Sequence, residues 1–404
     1  MLSKKDSIIN YKAFLWHTTF LAIASSFMDV DTIIPSMMIQ AGGNSIHLGF
    51  LTAIMLGSST LFQLLFASYL SKKTNKKFFL LLGIYLRVGA LFLLSSLFFL
   101  NNYVSPLITI ILIFVTISIF SVSGSFAGVS YTDILGKSIL SDYRKKFFSV
   151  RQIISSLGML SSSFLVRYLI KKFDYPMNYF YLFIIAGVLL LIASGGFLKI
   201  KEPLIEPKYK KSLFEIIKSI PAEIKKNKNL KYYIILLNIS SLYFSTLPFL
   251  IIYAKQNFGL SKENIGNFLI LRITGVIITS FLLIKISKSY KFIMKLSFII
   301  GGIIPVFAVL LSNNELLYQS IFIIAGISIA ALKIAKGGIL LEISNNENRA
   351  LYTGITGATN LTIMIFPIIS GILIKVLSFE VIFFTVSLLV LSSIFIINKF
   401  ELSE

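Results

Sequence analysis

The sequence predicts an all-α polytopic membrane protein with about 12 transmembrane helices, arranged as two similar six-helix bundles. Three observations carry this expectation: long apolar blocks, basic loops gathered on one side, and a weak repeat between the halves. Of 404 residues, 56% are hydrophobic and 14% charged. A soluble domain carries about 45–50% apolar and about 25% charged residues. The apolar residues run in blocks such as Phe14 to Met28, Phe78 to Leu100 and Val381 to Ile397. A helix needs about 20 apolar residues to span a bilayer. Barrel strands alternate apolar and polar over about ten residues, and these blocks do not.

In chain order the predicted spans are 13–40, 46–70, 78–100, 105–129, 149–170, 177–198, 232–254, 264–284, 292–311, 317–341, 350–374 and 379–397. The N-terminus places Lys4, Lys5 and Lys12 before an apolar stretch. That pattern also opens a signal peptide. Here no small-x-small site follows and the stretch runs on through Asp29 to Gln40, so it reads as the first span.

Twelve spans put alternate loops on one side. The loops that share a side with the termini hold 27 Lys and Arg, the opposite loops five, and six lie within spans. Basic residues accumulate on the cytoplasmic side. The expectation is a multi-pass protein of the cytoplasmic (inner) membrane with both termini in the cytoplasm. The lysines then face anionic headgroups, so the net charge of +21 calls for no nucleic-acid partner. The most basic loop, 199–231, carries Leu213, Phe214, Ile216, Ile217, Pro221 and Ile224 among lysines. This pattern reads as a short amphipathic helix on the membrane surface. It divides the chain into an N-terminal bundle, 1–198, the linker, 199–231, and a C-terminal bundle, 232–404.

There is no cysteine, which excludes disulfides and Cys-based metal sites. His17 and His47 are too few for a histidine metal cluster, so no metal is expected. No Walker A pattern is present, which argues against intrinsic ATP hydrolysis.

The halves share four features in the same order. Thr32 to Pro35 precedes a loop and Gly49; Ser245 to Pro248 precedes a loop and Gly266. Tyr131-Thr132-Asp133 after the fourth span is followed by Arg144 before the fifth; Leu341-Glu342 after the tenth is followed by Arg349 before the eleventh. Paired six-helix halves commonly build a site at their interface.

With these features the chain resembles the major facilitator superfamily. That family's motif between spans two and three reads Gly-x-Leu-Ala-Asp-basic-x-Gly-basic-basic. Here the segment Ser68 to Lys77 keeps Leu70 and the basic residues Lys73, Lys76 and Lys77 but lacks both glycines and the aspartate. The resemblance implies a secondary carrier that works by alternating access, driven by an ion gradient with H+ as the candidate ion or by the solute's own gradient, and no cofactor. It implies the lipid bilayer and a small solute as partners, a monomer, and a cavity lined by spans one, four, seven and ten.

Charges inside spans mark candidate sites, because each costs at least about 2.5–3.5 kcal/mol at the bilayer centre. They are Asp29, Asp31, Arg87, Arg151, Arg167, Arg272, Lys333 and Lys336. Arginine is rare here, six against 32 lysines. Its fixed donors suit buried pairing. Asp29, Asp31, Arg272 and Lys333 are the candidates for substrate or proton coupling. For the aspartates, a place at the outer headgroup level remains the alternative. As residues two apart on a helix, Asp29 and Asp31 would face different ways. Arg87, Asp133, Arg144, Glu342 and Arg349 are candidates for structural or gating charges. Arg151 and Arg167 are expected to snorkel toward headgroups, as is Lys336. Lys333, Lys336 and Arg272 together favour an anionic or zwitterionic solute. Pro35 and Pro248 are candidate hinges, since proline removes a helix hydrogen bond. The Gly42-Gly43, Gly301-Gly302 and Gly337-Gly338 pairs suit turns or close helix approach.

Two rival classes stay open on sequence: a membrane enzyme acting on a lipid-linked substrate, with Asp133 and Asp142 as its nearest carboxylate cluster, and a non-transporting sensor.

Overall fold

A computed structural model describes residues 3–71, 73–203, 213–259, 261–285, 289–344 and 349–401. Among the described residues every regular element is helical. The N-terminal half contains α1 (Lys4–Phe27), α2 (Ile33–Gln40), α3 (Ser45–Ser71), α4 (Lys77–Phe99), α5 (Pro106–Ser138), α6 (Ser141–Lys172) and α7 (Met177–Leu198). Helix α8 (Leu213–Lys226) follows. The C-terminal half contains α9 (Lys228–Phe258), α10 (Lys262–Lys285), α11 (Tyr290–Leu310), α12 (Glu315–Ile343), α13 (Arg349–Ala358), α14 (Thr362–Val376), α15 (Phe379–Ser392) and α16 (Ile394–Asn398).

Among the described residues, ten helical stretches are long and apolar enough to cross a membrane. They match predicted spans three to twelve. Span two is α3, and span one is split between α1 and α2. The helices start where the sequence supplies caps. Ser3, Ser105, Asn227, Ser289, Asn314 and Ser378 each accept a hydrogen bond from the backbone N–H three residues on. Such caps satisfy donors that no helical carbonyl can reach. Pro106 follows Ser105 at the first helical position, where its missing N–H costs nothing. On α8, Phe214 and Ile217 are exposed.

Three predicted spans are not single helices; the shortest interruption is Ser393 alone, between α15 and α16 of span twelve. Span one breaks at residues 28–32, between α1 and α2. Span eleven breaks at residues 359–361, between α13 and α14. Spans four and five are longer than predicted, because α5 runs on to Ser138 and α6 begins at Ser141. Asp133 therefore lies within a helix rather than in a loop.

The chain forms two compact units, residues 1–29 with 62–212, and residues 30–61 with 213–404. Helix α2 and the first part of α3 thus pack with the C-terminal half. The first crossing between units falls at Asp29, inside the break. In the second unit, α3 and α14 cross with backbones in contact. A Cβ on Gly49 would strike the Pro367 carbonyl, and one on Gly371 the Ser45 carbonyl. The Ser45 hydroxyl donates to the Gly371 carbonyl at 2.8 Å. Gly42 turns the chain after α2 with φ +91°, a conformation that glycine adopts without strain.

Candidate functional site

The break in span one is buried: Met28, Asp29 and Thr32 are 7%, 6% and 0% exposed. Non-helical backbone at membrane depth persists where protein covers it. The Thr32 carbonyl accepts from the Ser36 backbone N–H at 3.1 Å and the Ser36 hydroxyl at 2.6 Å. Pro35 lies in the first turn of α2, where no N–H is required. The break also frees Asp29 and Asp31 from the angular constraint that a helix imposes.

Asp31 forms an ion pair with Arg272 of α10 at 3.2 Å, and both side chains are largely buried. Arg272 lies ten residues from the start of α10 at Lys262, or about 15 Å along the axis. That is roughly half of a 30 Å hydrocarbon core. The pair therefore sits at membrane depth, not at the headgroups. The α10 backbone is fixed there by close crossing with α12. A Cβ on Gly326 would strike the Arg272 carbonyl, and one on Gly275 the Ile323 carbonyl.

The C-terminal unit holds two further polar centres. Tyr243 on α9, Ser297 on α11 and Ser328 on α12 form a closed buried network. The Tyr243 and Ser297 hydroxyls lie 3.1 Å apart, and the Ser328 hydroxyl lies 3.2 Å from the Tyr243 oxygen. Ser297 and Ser328 also donate to each other's carbonyls. A Cβ on Gly301 would meet the Tyr243 ring, so the sequence's glycine pair serves packing there.

The second centre holds the break in span eleven. Asn238 on α9 donates to the Thr359 carbonyl at 3.0 Å. Its carbonyl oxygen accepts from the Thr362 backbone N–H and hydroxyl. Ser241, one turn on, donates to the Asn360 side-chain oxygen at 2.9 Å. Asn238 thus replaces helix bonds that the break removes.

Lys333 and Lys336 share a face of α12 but differ in surroundings. Lys333 is exposed and Lys336 half-buried. The Lys336 ammonium lies over the Phe244 ring of α9, 5.3 Å from its centroid. It does not snorkel toward the nearer helix end.

The N-terminal unit holds its charges differently. Arg87 stands over Phe120 at 4.3 Å and Arg151 over Tyr131 at 5.5 Å. Neither has a carboxylate partner among the described residues. His17 is buried against Phe197, and its Nδ1 lies 3.4 Å from the Ala193 carbonyl oxygen. At the basic end, Asp133 pairs with Lys76 at 2.7 Å and Lys137 at 3.0 Å. Lys137 also pairs with Glu202 at 2.7 Å. Glu202 accepts from the backbone N–H groups of Lys76 and Lys77, which open α4. A carboxylate is favourable at that helix end. Glu202 supplies there an acidic group that the degenerate motif between spans two and three lacks.

Of the other predicted residues, Glu342 is exposed at the end of α12. Pro248 lies inside an unbroken α9. The side chains of Arg144 and Arg349 lie outside the described residues, as do residues 204–212 of the linker. No group of three or more His, Asp or Glu suited to a metal occurs among the described residues. Sequence reading missed Glu202, Phe244, Asn238 and Asn360. An amide inside an apolar stretch was the available signal for both asparagines. Nothing local marks Glu202 or Phe244, since their partners lie far along the chain.

A family model described as Major Facilitator Superfamily matches residues 15–334 and 233–400. No curated protein sequence matches the chain. Solved structures similar in fold include the nucleoside transporter NupG, at 13% identity and TM-score 0.66, with 97% of this chain and 100% of that chain covered. A POT family transporter in complex with 5-aminolevulinic acid aligns at 12% identity and TM-score 0.73, covering 96% of this chain and 95% of that one. A peptide transporter POT in complex with sulfate aligns at 10% identity and TM-score 0.70, covering 96% and 93%.

Proposed function

The chain belongs to the major facilitator superfamily, as a membrane transporter rather than an enzyme, and on that premise we propose that it moves a small solute by alternating access, with the Asp31–Arg272 pair as its charge-coupled latch. The observation that carries this reading is the pair's position. It ties α2, which follows the break in span one, to α10 at membrane depth. The break lets the outer piece of span one change partners without bending a helix. The pair must open when α2 leaves α10, and opening it in a low-dielectric site is costly. A proton on Asp31 or an anion at Arg272 offsets that cost. The carrier is therefore coupled to ions, with H+ as the proposed ion and no cofactor.

The membrane is the cytoplasmic one and both termini face the cytoplasm, a reading supported by the 27-to-5 distribution of basic loop residues. The solute is anionic or zwitterionic. This is supported by the excess of basic over acidic side chains within the predicted spans.

Reconstituted vesicles loaded with a pH-sensitive dye test the coupling. Addition of a transported solute should move protons in the wild type, and Asp31→Asn should uncouple that movement. Proton-free flux in the wild type would sink the coupling. Single cysteines in this cysteine-free chain test orientation: a Lys225→Cys probe labelled from outside intact cells would reverse it.

A further inference from the structure

Lys336 is the strongest unassigned group in the molecule. Its ammonium has neither an ion-pair nor a hydrogen-bond partner among the described residues. Its one side-chain neighbour of note is the Phe244 ring, 5.3 Å away. The side chain also extends in an unexpected direction. Lys336 lies seven residues before the end of α12 at Ile343, about 10 Å from it. The Lys336 carbonyl accepts from the Tyr233 hydroxyl at 2.9 Å, which fixes its level against α9. Phe244 lies eleven residues further along α9 than Tyr233, about 16 Å deeper. The ammonium therefore reaches inward, away from the nearer surface. A helical side chain leans toward its own N-terminus, and in α12 that direction is inward. Snorkelling would take it the other way.

A second donor comes to the same face of α9. Ser241 and Phe244 are three residues apart, so they are neighbours on that helix. Phe244 underlies Lys336, and Ser241 holds the Asn360 side-chain oxygen at 2.9 Å. This bond turns the Asn360 amide into a fixed group whose N–H donors have no acceptor among the described residues. Asn360 lies in the break of span eleven, held in place by Asn238. The two carboxylates nearest in function do not serve Lys336: Asp31 is engaged by Arg272, and Glu342 is exposed at the helix end.

We propose that Lys336, Phe244 and Asn360 form the anion-binding subsite of the carrier, with the Lys336 ammonium and the Asn360 amide taking a carboxylate or phosphate head and the Phe244 ring lying against the adjoining apolar part of the solute. The proposal rests on the carrier reading for its role in transport, but the site itself is a binding site and is tested as one. An unpaired ammonium at this depth is expensive. A charge-assisted bond to an anion is about twice as strong as a neutral one, so an anionic ligand supplies the missing partner. Lys333, seven residues from Gly326 on the same helix, is not part of the subsite.

Thermal unfolding of the purified full chain, followed by tyrosine and tryptophan fluorescence, tests this with inorganic phosphate, benzoate and neutral benzamide. Phosphate or benzoate should raise Tm by several degrees in a saturable way, and benzamide should not. The shift should vanish in Lys336→Gln, persist in Lys336→Arg and Lys333→Gln, and need at least threefold more ligand in Asn360→Ala. A wild type with no anion-specific shift, or a shift that survives in Lys336→Gln, overturns the proposal. Should Lys336→Gln not yield monodisperse protein, Asn360→Ala decides: unchanged affinity there overturns it. Nanodiscs of phosphatidylcholine, with and without phosphatidylglycerol, separate free anions from lipid. Stabilisation through Lys336 by the anionic lipid alone makes it a headgroup anchor and sinks the subsite. Flux and binding fail separately. Loss of binding in Lys336→Gln with no flux of any solute in wild-type vesicles sinks the carrier reading alone. Flux with unchanged affinity in Lys336→Gln sinks the subsite alone.

Discussion

The first spans of the two halves occupy equivalent places in the repeat and carry equivalent prolines, yet one is broken and the other is not. Span one stops at Phe27 and resumes at Ile33, with Pro35 in the first turn of its second piece. Span seven is one helix from Lys228 to Phe258, with Pro248 inside it. The proline alone therefore does not make the hinge. In span seven, Thr246 donates its hydroxyl to the Leu242 and Tyr243 carbonyls and stays helical. Span one instead gathers Asp29, Asp31 and Thr32 just before its proline. Asp competes with the backbone and Thr is stiff at χ1, so both are poor helix formers. Asp31 gains more from Arg272 than from a place in a helix. The break follows the buried charge, and the proline fits a helix start that the charge creates.

Neutralising the charge gives the largest expected effect on this difference. Asp31→Asn leaves Arg272 buried without its carboxylate. Breaking a buried pair costs about 3–5 kcal/mol, so thermal stability should drop steeply and coupled flux by at least tenfold. The double variant with Arg272→Gln should recover much of the stability and none of the coupling. Equal recovery of both would make the pair structural only.

Next comes the α3–α14 crossing that holds the same outer region. Gly371→Leu drives a side chain into the Ser45 carbonyl, and overpacking costs about 1–3 kcal/mol. A Ser45→Cys probe, buried in the wild type, should become reactive to a polar maleimide in this variant. Unchanged protection would mean the crossing adapts.

Asn238→Ala comes third. It strands the Thr359 carbonyl, at about 1–3 kcal/mol for an unsatisfied buried group. Hydrogen exchange should quicken at residues 359–362 and stay unchanged at 28–32. The proline variants come last. Pro248→Ala restores one helix bond in a helix that is already continuous, and Pro35→Ala leaves the acids that set the break. Exchange at residues 28–32 should stay unchanged in both. Protection there in Pro35→Ala would return the hinge to the proline.

Much of the fold was legible in the sequence because hydropathy and charge placement are properties of the chain in one dimension. The apolar blocks marked the spans, and the rare arginines drew attention to Arg272, which does hold a buried carboxylate. The breaks were not legible. Residues 28–32 and 359–361 are short polar stretches inside apolar surroundings, so the flanking residues carry each span as a continuous membrane helix on hydropathy alone, and their irregular backbone persists because partners far along the chain cover it. Lys336 illustrates the same limit. Its distance from a helix end argued for snorkelling, whereas Phe244 on another helix draws it inward. Asp133 was legible as a charge at a helix end, but its partners Lys76 and Lys137, and the link on to Glu202, were not.

The sequence by itself determined that this is a polytopic helical membrane protein of the superfamily, where its spans lie, and which side chains are held inside at an electrostatic cost. Those outcomes follow from transfer free energies that each segment has alone. Only the tertiary structure decided that Asp31 meets Arg272, that Glu202 caps α4, that Asn238 mends span eleven, and that Lys336 turns toward Phe244. Each of these joins residues far apart in the chain, and the energy of a buried charge depends on what stands within a few ångströms of it.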